Sequence, residues 1–124
     1  MKTITLYRPV GQKEWDLIIE AGYKRFPPRL YWQPIFYPVT NQPYAEQIAS
    51  QWNTNDEAGN YVGHVLAFDI IESYVQQFPV QNVGGEIHNE LWVPAEQLDD
   101  FNNHIIGDIR LIKTFYGTNY KKIK

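Results

Sequence analysis

Three stretches of this sequence place polar side chains inside apolar, strand-like segments, where chemistry could take place. The first is Leu6-Tyr7-Arg8, which puts an arginine near the end of an N-terminal strand. A guanidinium presents a fixed fork of N–H donors that fits phosphate oxygens, so Arg8 is a candidate anion clamp. The competing interpretation is that Arg8 is an ion-pair partner at the surface.

The second stretch covers residues 36–40 and leads into a helix that contains Ala45. Its functional interpretation places the ring of Tyr37 in a cleft, where the ring could stack on a flat heterocycle, with Thr40 nearby. The competing interpretation is a core strand followed by an ordinary helix cap at Thr40 or Asn41.

The third stretch follows a pair of glycines at 84 and 85, and its alternation puts His88, Glu90 and Trp92 on one face of a strand. A carboxylate in the middle of a strand costs desolvation free energy unless it has partners. Glu90 could therefore line a cleft beside His88, with Trp92 behind it, or it could lie on a solvated outer face. A hydrolase that uses Glu86 and Glu90 as an acid–base pair is a further alternative.

Composition narrows the classes of protein that these stretches could serve. The chain has 124 residues, of which 44% are hydrophobic and 20% charged, as expected for one globular domain. It contains no cysteine, which removes thiolate nucleophiles, disulfides and cysteine-based metal sites. Its three histidines lack the spacing of the common metal motifs. We therefore predict a single domain over residues 1–116 and no metal site.

The charge balance bears on partners and location. Lys and Arg total 11 and Asp and Glu total 14, so the net charge is 11 − 14 = −3. This balance gives no general attraction to phosphate backbones or anionic lipids, so we expect neither a nucleic acid nor a membrane as partner. Residues 117–124 end in a short basic run, which we interpret as a solvated C-terminal tail. The absence of a long apolar segment favours a cytoplasmic protein.

The hydrophobic pattern predicts strands at residues 3–8, 35–39, 61–70, 80–83, 87–93 and 105–116, the last broken near Gly107. It predicts helices at residues 11–21, 43–52 and 94–101, with one or two helical turns at 72–78. Prolines at 27, 28 and 34 make residues 23–34 a long irregular loop. Because helices do not strictly alternate with strands, the order favours an α+β fold over a doubly wound sheet.

The order of the three stretches resembles that of the ADP-ribosyltransferase-like superfamily: an arginine on the first strand, an aromatic strand that leads into an alanine-containing helix, and a glutamate on a late strand. The chain also resembles a group of short bacterial proteins that carry an ADP-ribosylation/crystallin label. That second resemblance covers most of residues 4–116 and rests on the segments LYRPVG at 6–11, FPPR at 26–29, QPIFYPV at 33–39 and ELWVPAE at 90–96. The implied fold is a single ADP-ribosyltransferase-like domain of strongly bent or split mixed β-sheets with a few short helices.

The resemblance implies NAD as the ligand and assigns a role to each stretch. Arg8 would hold the dinucleotide, while Tyr37, with help from Thr40, would frame the nicotinamide. Glu90 would stabilise the positive charge that develops on the ribose as the nicotinamide leaves. His88, which we count with the cofactor-binding residues, stands where arginine-modifying toxins have Glu or Gln, and this argues against modification of arginine. In the proline-rich loop, two further arginines could add phosphate contacts: Arg25 and Arg29.

We therefore expect an NAD-binding protein that transfers ADP-ribose from NAD to an acceptor, with Glu90 as the catalytic residue. The alternative is a catalytically inactive nucleotide-binding or protein-interaction module on the same fold. Tyr31, Trp32, Tyr37 and Trp52 could form the partner surface of such a module, including one for a homodimer. Of these four side chains, we expect Trp52 to lie in the core.

Overall fold

Seven strands and four α-helices are assigned within residues 2–120, the part of the chain that the computed structural model describes. The strands are β1 (Thr3–Val10), β2 (Ile35–Phe36), β3 (Val62–Ile71), β4 (Val80–Asn82), β5 (Asn89–Leu91), β6 (Val93–Pro94) and β7 (Ile105–Tyr116). The helices are α1 (Gln12–Glu20), α2 (Gln42–Gln51), α3 (Glu72–Val75) and α4 (Leu98–Asn103). This order confirms the prediction of a small single-domain α+β fold.

The strands form one three-stranded sheet and two short pairs. The larger sheet has the order β1-β3-β7, and the pairs are β2 with β6 and β4 with β5. Val39 lies between Tyr7 and Glu90 as a bridge residue, and it thereby connects β1 to β5. Every one of these pairings is antiparallel, so the prediction of mixed sheets was wrong for the residues described. The prediction of split sheets with few helices is confirmed.

The two faces of the central sheet carry separate cores, because side chains alternate along each strand. Leu6 and Val10 point into the larger core, which α1, α3 and α4 cover. On the opposite face, Tyr7 packs against a smaller core beneath α2, where Ala45 and Ala49 are fully buried. The centre of the larger core is a group of phenylalanine rings with centroids 4.9–5.9 Å apart: Phe26, Phe36, Phe68 and Phe101.

Pro38 explains why two predicted strands are shorter than expected. The backbone N–H of Leu91 donates to the carbonyl of Pro38 at 2.8 Å, but proline has no N–H to return the bond. The ladder is therefore interrupted, so the predicted strand at 35–39 shortens to β2. For the same reason the predicted strand at 87–93 divides into β5 and β6 on either side of Trp92.

Other boundaries also differ from the prediction. The helix expected from Pro94 begins only at Leu98, because Pro94 still pairs in β6 and a 3₁₀ turn follows it. The last strand continues through Gly107 and accommodates it with irregular register against β3. The prediction that Trp52 lies in the core was wrong, since this side chain is 70% exposed just beyond the end of α2.

The C-terminal tail and the lengths of the helices bear on two further predictions from the sequence. The predicted basic tail falls largely on residues 121–124, which lie outside the described residues. Among residues 2–120, no helix has both the length and the apolar character needed to cross a bilayer.

His64 on β3 is a buried polar residue that links three elements. Its Nδ1 lies 2.9 Å from the hydroxyl of Thr114 on β7, and its Nε2 lies 2.8 Å from the side-chain oxygen of Gln12 on α1. The amide nitrogen of Gln12 donates to Asp16 at 2.7 Å, so its oxygen is the atom that faces the imidazole. Burial lowers the pKa of His64, and the charge of Asp16 offsets this only in part.

We expect the free energy of unfolding to fall as the pH drops below about 6.5, the usual histidine pKa. The unfolded chain takes up this proton at a higher pH than the folded chain does, because the pKa of His64 is lowered in the fold, so the unfolded state is favoured by up to about 1.4 kcal/mol per pH unit. Urea unfolding at pH 7.5, 6.5 and 5.5 measures this slope, and His64→Gln should reduce it. An unchanged slope in the variant would assign the effect to other groups.

Candidate functional site

The three stretches that carry candidate residues are neighbours in the fold. Val39, at the end of the second stretch, pairs with Tyr7 of the first and with Glu90 of the third. Paired residues in an antiparallel ladder point to the same face, so Tyr7, Val39 and Glu90 share one face of the sheet. Arg8, which follows Tyr7 on β1, consequently points to the opposite face.

Arg8 is held in a tight, largely buried ion pair with Glu14. Its Nε and Nη2 atoms donate to the two carboxylate oxygens of Glu14 on α1 at 2.6 and 3.0 Å. Its guanidinium carbon lies 4.5 Å from the centre of the Phe36 ring, within range of a cation–π contact. Only 10% of the Arg8 side chain is exposed. The ion-pair interpretation of Arg8 therefore holds, although the pair is buried and not at the surface.

A cleft of about 380 Å³ opens on this face of the sheet, between the end of β1, the start of α1, the proline-rich loop and the segment 53–59. We call it the cationic cleft, because Arg8, Lys13 and Arg29 line it together with only two carboxylates, Glu14 and Asp56. Three positive and two negative charges leave the cleft with a net charge of +1. The net positive charge is concentrated away from Arg8, because Arg8 and Glu14 neutralise each other in an ion pair.

Like the exposed Lys13, Arg29 is a cation of this cleft with hydrogen-bond donors to spare. Its Nε donates to the carbonyl of Ile35 at 3.1 Å, and its two terminal nitrogens have no hydrogen-bond partner within residues 2–120. Burial lowers the pKa of Arg29 from its usual value, and the charge of Arg8 lowers it further, while Glu14 and Tyr37 act in the opposite sense. An anion in the cleft would relieve this unfavourable placement of charge.

Arg25, the other arginine of the proline-rich loop, serves a different purpose. Its guanidinium donates to the side chain of Asn103 at 2.8 Å and pairs with Asp99 at 3.2 Å. These contacts tie the loop to α4 and leave Arg25 outside the lining of the cationic cleft.

Glu90 lies on the α2 face of the sheet, in a polar group of its own. It accepts a hydrogen bond from the hydroxyl of Tyr44 at 2.6 Å and another from the indole N–H of Trp92 at 3.1 Å. Burial and the hydrogen bond to Glu90 raise the pKa of Tyr44 well above its usual value, so Tyr44 remains a donor. The mid-strand carboxylate thus has the partners that its position requires.

His88 and Thr40 are also engaged by neighbouring residues. The Nδ1 of His88 accepts from the backbone N–H of Gly85 at 3.1 Å, so Nε2 carries the proton and donates to Gln47 at 2.6 Å. The imidazole stacks on the ring of Tyr44 with centroids 4.6 Å apart. The hydroxyl of Thr40 lies 3.5 Å from the carbonyl of Asn89, which is a weak contact.

Tyr37 is exposed and lies at the boundary between the two faces. The register of β2 and β6 puts Tyr37 on the side of Glu90, since Phe36 points into the larger core. The guanidinium carbon of Arg29 nevertheless lies 6.0 Å from the centre of the Tyr37 ring. Tyr37 therefore lies close to a cation of the cleft, while Arg8 and Arg29 line the cleft itself.

The structure thus divides the expected site into two groups. Arg8 lies on the face of the cationic cleft, while Glu90 and His88 lie together beneath α2. The reason is strand parity: a shift of one residue along β1 exchanges the faces, and Tyr7 rather than Arg8 stands opposite Val39. Among residues 2–120, Arg8 and Glu90 therefore lie on opposite faces of the sheet and do not meet in the cationic cleft.

Sequence reasoning missed the partners that define both groups. Glu14 was not among the candidate residues, yet it pairs with Arg8. The sequence did contain a signal for the Arg8–Glu14 pair. Only Gly11 separates β1 from α1, so the first turn of α1, which contains Glu14, must lie next to the end of β1. Tyr44 and Gln47 had no such signal, because they meet Glu90 and His88 across more than 40 residues of sequence.

Within residues 2–120, no cluster of three or more His, Asp or Glu side chains is arranged to hold a metal ion. Comparison of the chain with family models, with curated proteins and with solved structures found no match. The resemblance to the ADP-ribosyltransferase-like superfamily therefore remains a prediction from the sequence.

Proposed function

We propose that this protein binds a phosphorylated small molecule in the cationic cleft, with NAD or a related nucleotide as the ligand that the sequence resemblance favours. The observation that carries the proposal is the pair of terminal nitrogens on Arg29 that no described residue partners, beside a cavity of about 380 Å³. Guanidinium groups bind phosphate oxygens through paired N–H donors. The volume lies in the lower part of the range for small-molecule sites.

Two cations of the cleft support this binding, because Arg8 is largely neutralised by Glu14, to which it donates two hydrogen bonds. Arg29 supplies directed hydrogen bonds from its terminal nitrogens. Lys13, an exposed residue of the cleft wall, adds a second positive charge. A phosphate group would then meet a positive field from one side and directed donors from another.

We further propose that the protein binds this ligand without transferring ADP-ribose. Transfer would require a carboxylate beside the reacting ribose, and Glu90 lies on the other face of the sheet from Arg8. The ADP-ribosyltransferase-like fold is retained as a proposal, supported by the adjacency of the three candidate stretches through Val39. The function is thus that of a catalytically inactive nucleotide-binding module.

Isothermal titration with NAD, ADP and inorganic pyrophosphate tests the binding. We expect Arg29→Gln to weaken binding of these ligands about tenfold to hundredfold, because a hydrogen bond to a charged group contributes about 1.5–3 kcal/mol. Arg110→Gln is the matched control, since Arg110 on β7 pairs with Asp69 on β3 and does not line the cleft. The control should bind like the wild type.

The proposal fails if the wild type binds none of the three ligands, or if both arginine variants bind equally well. The same samples decide the catalytic question when nicotinamide release from NAD is followed over time. We expect no release by the wild type. Release that Glu90→Gln abolishes would instead establish the transferase and remove the proposal of an inactive module.

A further inference from the structure

The loop that supplies Arg29 also carries the most exposed aromatic ring of the described residues. Tyr31 is 95% exposed and Trp32 is 62% exposed, and both follow Arg29 within three positions. Large aromatic side chains are ordinarily buried or in contact with a partner, since they carry much apolar surface. Two adjacent rings left in solvent next to a ligand cleft therefore require an explanation.

The two rings sit on a turn whose ends form part of the cleft wall. The backbone N–H of Gln33 donates to the carbonyl of Leu30 at 2.8 Å, and the side-chain oxygen of Gln33 accepts from the N–H of Leu30 at 3.1 Å. Leu30 and Gln33 both line the cationic cleft. We call residues 30–33 the aromatic turn. Its hydrogen bonds hold Tyr31 and Trp32 at the rim of the cleft.

The rings are arranged so that a flat group could lie against them. Their centroids are 4.9 Å apart and their planes are 88° apart, which is an edge-to-face contact. Each ring thus limits the motion of the other, while the 95% exposure of Tyr31 leaves its ring accessible to a ligand. Because Leu30 and Gln33 of this turn line the same cleft as Arg29, a ligand held on Arg29 by its phosphate would meet the aromatic turn with its next group.

The geometry points to a nucleoside diphosphate as the ligand class, with the diphosphate on Arg29 and Lys13 and the base stacked on the aromatic turn. This inference rests on the proposed function of the cationic cleft and adds a binding surface for the base of the nucleotide. An acidic peptide would satisfy the charges equally well, but the carboxylate side chains that do so bring no flat ring to Tyr31 and Trp32. Stacking on an aromatic side chain tolerates different bases, so we expect weak discrimination between them.

The test compares ADP with inorganic pyrophosphate, two probes that share the diphosphate and differ by the adenosine. We expect the wild type to bind ADP about tenfold to hundredfold more tightly, which is the range for stacking of one base. The double substitution Tyr31→Ala, Trp32→Ala should bring ADP down to the affinity of pyrophosphate and leave pyrophosphate unchanged. Tyr116→Ala is the control, since Tyr116 is an exposed aromatic residue on β7.

The outcomes separate this inference from the proposed function on which it rests. Equal affinity of the wild type for ADP and pyrophosphate would overturn the aromatic turn as a base platform and leave the cleft as an anion site. An equal loss of both probes in the folded double variant would show that the turn only supports the cleft, which also overturns the inference. If the wild type binds neither probe, both proposals fall. Circular dichroism of each variant confirms folding.

Discussion

Glu14→Gln should lower the free energy of unfolding by about 3 kcal/mol, because it leaves the guanidinium of Arg8 buried without its counter-charge. Arg8 keeps only 10% of its side chain exposed, so we expect water to replace the lost carboxylate poorly. Glu14 keeps 24% exposed, which places the expected loss at the lower end of the range for buried pairs. Urea unfolding measures the effect as a lower midpoint with an unchanged m-value.

The double variant Arg8→Met, Glu14→Gln is the control for this result. It removes the buried charge together with its partner, and the methionine sulfur can contact the Phe36 ring that the guanidinium now covers. We expect the double variant to be more stable than Glu14→Gln alone. A loss below about 1 kcal/mol in the single variant would mean that water or another acid pairs with Arg8 in its place.

Gly63→Ala should be the most disruptive of the small substitutions in the central sheet. A Cβ at Gly63 would come within 2.8 Å of the carbonyl carbon and 2.9 Å of the Cα of Ala49, and closer still to its carbonyl oxygen. These are backbone atoms of α2, so the helix itself must move away from β3. We expect a loss of about 2–3 kcal/mol in the free energy of unfolding, as for overpacked cores.

The displacement should also reach the polar group beneath α2. Tyr44 and Gln47 extend from this helix to Glu90 and His88, so a shift of α2 lengthens both contacts. Gly107→Ala is the matched control, since a Cβ there meets nothing within 4 Å and the cost is that of a positive φ, about 1 kcal/mol. Equal losses for the two variants would argue that α2 is not in close contact with β3.

The elements with strong local signals could be predicted from the sequence. The strands β1, β3 and β7 and the helices α1 and α2 were expected near their observed positions, because their side-chain periodicity is long and regular. The cap of α2 was also anticipated, since Asn41 accepts from the N–H of Tyr44 and Pro43 follows it. The boundaries of the short strands β2, β5 and β6 could not be predicted, because they depend on the break in the ladder where Pro38 lacks an N–H.

The sequence by itself determined which elements and candidate residues are present. These are an α+β order without cysteine, an arginine on the first strand, and a late strand with His88, Glu90 and Trp92 on one face. The tertiary structure alone decided which of these meet. The pairing of Val39 with Tyr7 assigns Arg8 and Glu90 to opposite faces, and a neighbouring register would have reversed that assignment. Register depends on how whole strands pack against their helices, which is a sum over distant contacts that no local pattern contains.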